Sequence, residues 1–177
     1  MHSASGGSDF DSIFEFENVL GSSFDDTITG DNSANQLRGF RGKDTLTELG
    51  KGGDKFDYRV LSDSLLGSTN TSFDHITDFN ATAGGDRLLI PVVRAGFLNA
   101  GAVTTLNSAG IPAKLTAGAF LGNFAFSFTF GTGPALRTFV AINDATAGFS
   151  AATDAIVEVT PVNGVLGTFG LSNFATA

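Results

Sequence analysis

Residues 21 to 57 repeat with a period of nine, and so short a period leaves a chain few ways to fold. The blocks are GSSFDDTIT (Gly21 to Thr29), GDNSANQLR (Gly30 to Arg38), GFRGKDTLT (Gly39 to Thr47) and LGKGGDKFD (Leu49 to Asp57), with Glu48 reading as an insertion before the last. Each follows G-G-x-G-x-D-x-U-x, where U is apolar. The sixth positions hold Asp26, Asn35, Asp44 and Asp54, spaced 9, 9 and 10 apart, and the eighth hold Ile28, Leu37, Leu46 and Phe56. A degenerate block, GGSDFDSIF (Gly6 to Phe14), puts Asp11 and Ile13 in the same two roles. Residues 15 to 20 (EFENVL) then break the phase, so the spacing does not assign Asp11 a partner.

The period dictates geometry. A six-residue loop turns the chain, and a three-residue strand carries one inward apolar residue between two outward polar ones. Two blocks make one coil. Glycine suits the turns because they use backbone conformations closed to residues with a Cβ, and because loop carbonyls must come close to an ion. Stacked loops of this kind turn carbonyls inward beside one carboxylate each. Calcium, a hard cation taking 6 to 8 oxygens at about 2.3 to 2.6 Å, fits such a cage, whereas magnesium keeps its water and a stricter octahedron.

In these repeats the chain resembles the RTX (repeats-in-toxin) proteins. The resemblance implies an all-β fold, a parallel β-roll wound as a right-handed solenoid, with calcium between successive coils on each side. It also implies ligands. Asp26 would pair with Asp44, completed by the carbonyls of Gly21, Ser23, Phe40 and Gly42; Asn35 would pair with Asp54, completed by Gly30, Asn32, Gly50 and Gly52. Asn35 gives a neutral oxygen, Phe24 and Ser33 replace fourth-position glycines, and Glu48 breaks the register. The second site is therefore expected to be the weaker.

After the repeats, FDY (56–58), VLSDS (60–64), FDHITDF (73–79) and GDRLLI (85–90) are similar to the segment that follows the roll in serralysin-type metalloproteases and in the R-modules of alginate epimerases. Such a segment caps a stack whose end would otherwise expose strand edges and an apolar face. Asp74, Asp78 and Asp86 either hold a further calcium or are solvated turn carboxylates. The expected organisation is a calcium-binding roll over 1–58, a cap over 59–95 and an antiparallel, sandwich-like β extension over 96–177. In the extension, Phe124, Phe126, Phe128 and Phe130 alternate with Ala125, Ser127 and Thr129, the period of a half-buried strand. The four rings face a core or form a platform for a carbohydrate or protein partner, the core being much the commoner arrangement. RTFVAIN (137–143) and AIVEVTPV (155–162) read as a hairpin, and a short helix is expected near Thr116 to Gly122. The tail is similar to that of cyanobacterial RTX-type proteins, whose family implies an uncleaved carboxyl-terminal export signal for a one-step (type I) secretion channel.

Composition narrows the function. The net charge is −8 with only 16% charged residues, so carboxylates outnumber their cationic partners; cations are the expected ligands and nucleic acid is not. The absence of cysteine removes disulfides, thiolate zinc sites and cysteine nucleophiles. No apolar run reaches the roughly 18 residues of a membrane span, and the polar first twenty residues hold no secretory signal. Met1-His2-Ser3 reads as a start added for expression, with further protein expected upstream. No H-E-x-x-H motif is present, so the metalloprotease resemblance does not carry its chemistry. His75, between Asp74 and Asp78, reads as a strand-edge histidine. The chain is expected to be a secreted, extracellular or cell-surface calcium-binding module and not an enzyme: disordered where calcium is scarce, and folded by it after export. The alternatives are a calcium-dependent polysaccharide- or cell-surface-binding module and a self-assembling surface-layer subunit.

Overall fold

The computed structural model describes residues 17–50, 52–67, 72–82, 85–162 and 169–176; Asp11 and its degenerate block lie outside them. The first seven strands have three residues each: β1 (Asn18–Leu20), β2 (Thr27–Thr29), β3 (Gln36–Arg38), β4 (Thr45–Thr47), β5 (Lys55–Asp57), β6 (Asp74–Ile76) and β7 (Arg87–Leu89). They alternate between two sheets, and strands two apart pair in parallel. Leu37 lies beside Phe56 and Phe56 beside Leu88 in one sheet; Ile28 lies beside Leu46 and Leu46 beside Ile76 in the other. The eighth-position residues Ile28, Leu37, Leu46 and Phe56 therefore fall in two columns. The columns meet in a single buried cluster, where each fully buried aliphatic or aromatic side chain contributes roughly 1.5 to 3 kcal/mol.

The later strands are β8 (Gly96–Ala102), β9 (Phe124–Phe130), β10 (Arg137–Ile142), β11 (Ala155–Glu158) and β12 (Phe174–Ala175). One sheet runs β1-β3-β5-β7-β12 and is parallel throughout; the other runs β2-β4-β6-β11-β10-β9-β8 and is mixed. The expected β10–β11 hairpin is present, with Val140 opposite Val157. The extension, however, prolongs the second sheet instead of standing as a separate antiparallel layer: β11 joins β6 in parallel, and β8 joins β9 in parallel.

Strands β9 to β11 are covered on both faces. Val140, Ile142, Ala155 and Val157 turn to the first cluster, while Phe126, Phe128, Phe139, Ala141 and Ile156 turn to a second one. The alternating phenylalanines thus face a core, with Phe128 stacked on Phe139 at 5.1 Å between ring centres. The helix falls earlier than expected, as α1 (Gly110–Lys114). Asn107 Oδ1 accepts the N–H groups of Ala109 and Gly110, which start it, and Pro112 sits in the first turn, where its missing N–H costs nothing. Residues 116–120 make only a turn; Gly118 and Gly122 disfavour a helix there.

Candidate metal centre

The loops stack as the strands do. A Cβ on Gly42, whose φ is +139°, would lie 2.4 Å from the Phe24 carbonyl oxygen, and one on Gly21 would lie 2.8 Å from that of Gly39. On the opposite flank a Cβ on Gly52 would lie 2.6 Å from the Ser33 carbonyl oxygen, and one on Gly50 3.0 Å from Asn32 Cα. Only glycine allows such an approach. Loop 21–26 therefore rests on loop 39–44, and loop 30–35 on loop 48–54.

The sixth-position side chains tie these loops together. Asp44 Oδ1 accepts the N–H of Asp26 at 2.9 Å, and Asp74 Oδ1 that of Asp44 at 3.0 Å. On the other flank Asp54 Oδ1 accepts the N–H of Asn35 at 2.5 Å, and Asp86 Oδ1 that of Asp54 at 3.0 Å. Each ladder has a polar end. Asp74 N–H donates to Ser64 Oγ, which donates in turn to the Ile156 carbonyl; Asn173 Nδ2 donates to the Asp86 carbonyl.

The second oxygens divide the ladders into a satisfied part and an unsatisfied part. Asp26 Oδ2 accepts Ser22 N–H and Oγ, and Asn35 Oδ1 accepts Asp31 N–H. Asp44 Oδ2, Asp54 Oδ2, Asp74 Oδ2 and Glu48 Oε2 are instead buried without a hydrogen-bond partner. A buried oxygen left so costs on the order of 1 to 3 kcal/mol, and more when it is charged. The unsatisfied oxygens lie one coil beyond the positions expected for the first cages, which were Asp26 with Asp44 and Asn35 with Asp54.

Three of the acids converge. Glu48, Asp54 and Asp86 are all buried, and one oxygen from each lies within 4.8 Å of the others. Burial first, and then the Asp54 and Asp86 carboxyls beside it, push Glu48 up to about 10; burial also raises Asp86. Two unit charges at 4.8 Å repel by about 3.5 kcal/mol at an effective dielectric near 20, so three carboxylates cannot all ionise here without a cation. Two oxygens on opposite sides of one calcium stand up to about 5 Å apart, and an all-oxygen set is the chemistry of hard cations.

Glu48 is not the insertion its sequence position suggests. Thr29 pairs with Thr47, so the next residues, Gly30 and Glu48, occupy the same place at the start of their loops. The fourth loop begins at Glu48 and not at Leu49. It spans seven residues, 48–54, where loop 30–35 has six, and the extra residue falls between Gly50 and Gly52, which stack on Asn32 and Ser33. Leu49 follows with φ +54°. Counting from the strand ends, and not from the aspartates, would have found the residue.

Asp74, Asp78 and Asp86 accept from different N–H groups. Asp74 extends one ladder and Asp86 the other, while Asp78 accepts the N–H groups of Glu48 and Leu49. Phe40, at φ +71°, is a left-handed turn residue in the position where the pattern has glycine. His75 Nε2 is hydrogen-bonded to the Thr160 carbonyl at 2.6 Å. Asp154 repeats the loop chemistry inside the β10–β11 connection, accepting Asp144 N–H and Ser150 N–H, and burial pushes its carboxyl up to about 6. Compared with known protein families and with curated proteins, the chain matches none.

Proposed function

We propose that the chain is a calcium-folded parallel β-roll, a right-handed solenoid whose coils are joined by cations between stacked loops, and that it serves as a secretion and stabilising module of an extracellular protein. The observation that carries the reading is the buried triad of Glu48, Asp54 and Asp86, one oxygen from each lying within 4.8 Å of the others, with Glu48 Oε2 and Asp54 Oδ2 offered no hydrogen-bond donor beyond a proton shared within the triad. Without an ion, such a cluster stays folded only by holding protons.

The reading makes the module a switch. Three-residue strands bury little apolar surface each, and closely stacked acids repel, so ion binding supplies the folding free energy. Oxygen-only sites of modest affinity fill at the roughly millimolar calcium outside cells and stay empty inside them. A chain disordered before export and folded after it suits passage through a one-step secretion channel.

The test is an ion count by native mass spectrometry together with circular dichroism and melting curves, with calcium and with excess chelator. Bound calcium and a β signal that collapses in chelator are expected. A spectrum and melting temperature that chelator leaves unchanged, with no ion bound in calcium, would falsify the reading.

A further inference from the structure

The opposite flank carries a different set of unsatisfied oxygens. Tyr58 is the chain's single tyrosine. It is 2% exposed, and its hydroxyl stands against the Asp74 carboxyl without a hydrogen bond of ordinary geometry to satisfy it, although a buried tyrosine hydroxyl usually has one. Its place in the register is informative. Leu20 pairs with Arg38, and Leu37 with Phe56, so Gly21, Gly39 and Tyr58 stand in one column at the starts of successive loops.

The matching column of sixth positions is Asp26, Asp44 and Asp74, since Thr27 pairs with Thr45 and Thr45 with His75. In the first two coils the space between the columns is closed. A Cβ on Gly21 would lie 2.7 Å from Asp26 Oδ2, and one on Gly39 only 1.9 Å from Asp44 Oδ2. In the third coil the loop lengthens to residues 58–73, and a tyrosine stands where glycine stood. Adjacent rungs of a sheet are about 4.8 Å apart, so Asp44 and Asp74 form neighbouring steps, linked by the bond from Asp44 N–H to Asp74 Oδ1. Asp44 Oδ2 and Asp74 Oδ2 are buried without a hydrogen bond of ordinary geometry, as is the phenol beside Asp74. Asp63, whose charge also reaches the phenol, is already paired with Arg38 at 2.8 Å.

We propose that Asp44, Asp74 and the Tyr58 hydroxyl form a second cation site, in which two carboxylates balance a divalent ion and the phenol is a neutral oxygen ligand. Burial first, and then the charge of Asp74 and a hydrogen bond to it, raise the phenol above its usual value, which places its oxygen beside that carboxyl. With two carboxylates against the three of the triad, this site fills second. The inference rests on the cation-binding reading above and adds to it a particular site and ligand.

Terbium, a hard oxygen-seeking ion that substitutes for calcium, emits when energy reaches it from a nearby excited tyrosine. The chain has no tryptophan, so Tyr58 is the sole efficient donor. The triad lies elsewhere: Asp54 is four residues from Tyr58 along an extended strand, roughly 13 Å. Tyrosine-sensitised emission that calcium competes away is expected from the wild-type chain. It should persist in Glu48→Gln, which loses a different ion, and vanish in Asp74→Asn. Tyr58→Phe keeps the ring in place and should weaken one calcium by about tenfold, the effect of losing one neutral ligand. Ions counted on the chain with no tyrosine-sensitised emission, or a Tyr58→Phe chain that binds both calciums as tightly as wild type, would overturn the assignment and leave the triad standing. A chain that binds no ion at all overturns both.

Discussion

Replacing Glu48 by glutamine separates the proton from the ion at the triad. In the metal-free chain Glu48 is held in its protonated form, because burial and the neighbouring Asp54 and Asp86 carboxyls push it up to about 10. Glutamine is close in shape to that neutral acid, so at mildly acidic pH, where held protons keep the metal-free chain folded, Glu48→Gln should leave its stability almost unchanged. Ion binding needs the carboxylate, and so must expel the proton. Below the raised pKa, each pH unit changes the free energy of that exchange by about 1.4 kcal/mol, a tenfold change in calcium affinity.

The sign of the stability effect follows. A folded pKa above the unfolded value means that the metal-free fold binds the extra proton. Its stabilisation is complete below the ordinary glutamate value of 4.5 and is lost as pH rises toward about 10. Asp44, raised to about 7, and Asp74, raised to about 8, act in the same direction. Metal-free protein should therefore weaken as pH rises from about 6 to 8, to the collapse expected in chelator, whereas in saturating calcium it should strengthen, since protons then compete with ions. Calorimetric titration at mildly acidic pH, where the metal-free chain is still folded, in buffers of different ionisation heat reads the proton release directly. The wild-type chain should release about one more proton at the triad than Glu48→Gln. Equal proton release in the two chains, or a wild-type affinity flat with pH, would refute the reasoning.

Two further substitutions probe the scaffold. Gly42→Ala forces a Cβ to 2.4 Å from the Phe24 carbonyl at a φ of +139°; it should cost about 2 kcal/mol by parting loop 21–26 from loop 39–44, seen as a lower denaturant midpoint in calcium. Leu46→Ala empties a fully buried eighth position and should cost about 3 kcal/mol, a loss that raising the calcium concentration offsets only partly. An unchanged midpoint for either variant would contradict the stacking described.

The regular part of this molecule was legible because its signals are local. Ile28, Leu37, Leu46 and Phe56 lie at fixed spacing, and each becomes the buried residue of a three-residue strand. The β10–β11 hairpin likewise announced itself by alternation. The pairing of β11 with β6 was hidden, since nothing in AIVE names DHI as its neighbour across some eighty residues. Strand β8, GFLNAGA, has too many small residues to read as a strand, and β9 imposes its conformation. At the site, aspartate spacing led to the loops, and the buried unsatisfied oxygens fall on Asp44, Asp54, Asp74 and Glu48. Glu48 reads as an insertion and Tyr58 as part of the segment after the repeats because each replaces a glycine whose place is set by strand register, and a motif read by its glycines and acids does not count substituted positions.

The aspartate ladders run one way. Asp26 offers its N–H to Asp44, and Asp44 offers its own to Asp74; on the far side Asn35 depends on Asp54, and Asp54 on Asp86. In these side-chain ladders each rung is held by a carboxylate later in sequence, until Asp74 N–H turns back to Ser64 Oγ and the Asp86 carbonyl accepts from Asn173. Removing Asp74 or Asp86 leaves the Asp44 or Asp54 N–H without its side-chain acceptor, whereas the backbone bonds run the other way, from Thr45 N–H to the Asp26 carbonyl and from His75 N–H to that of Asp44. Neighbouring loops are therefore clasped from both directions, and neither can peel away without stranding a donor on the other.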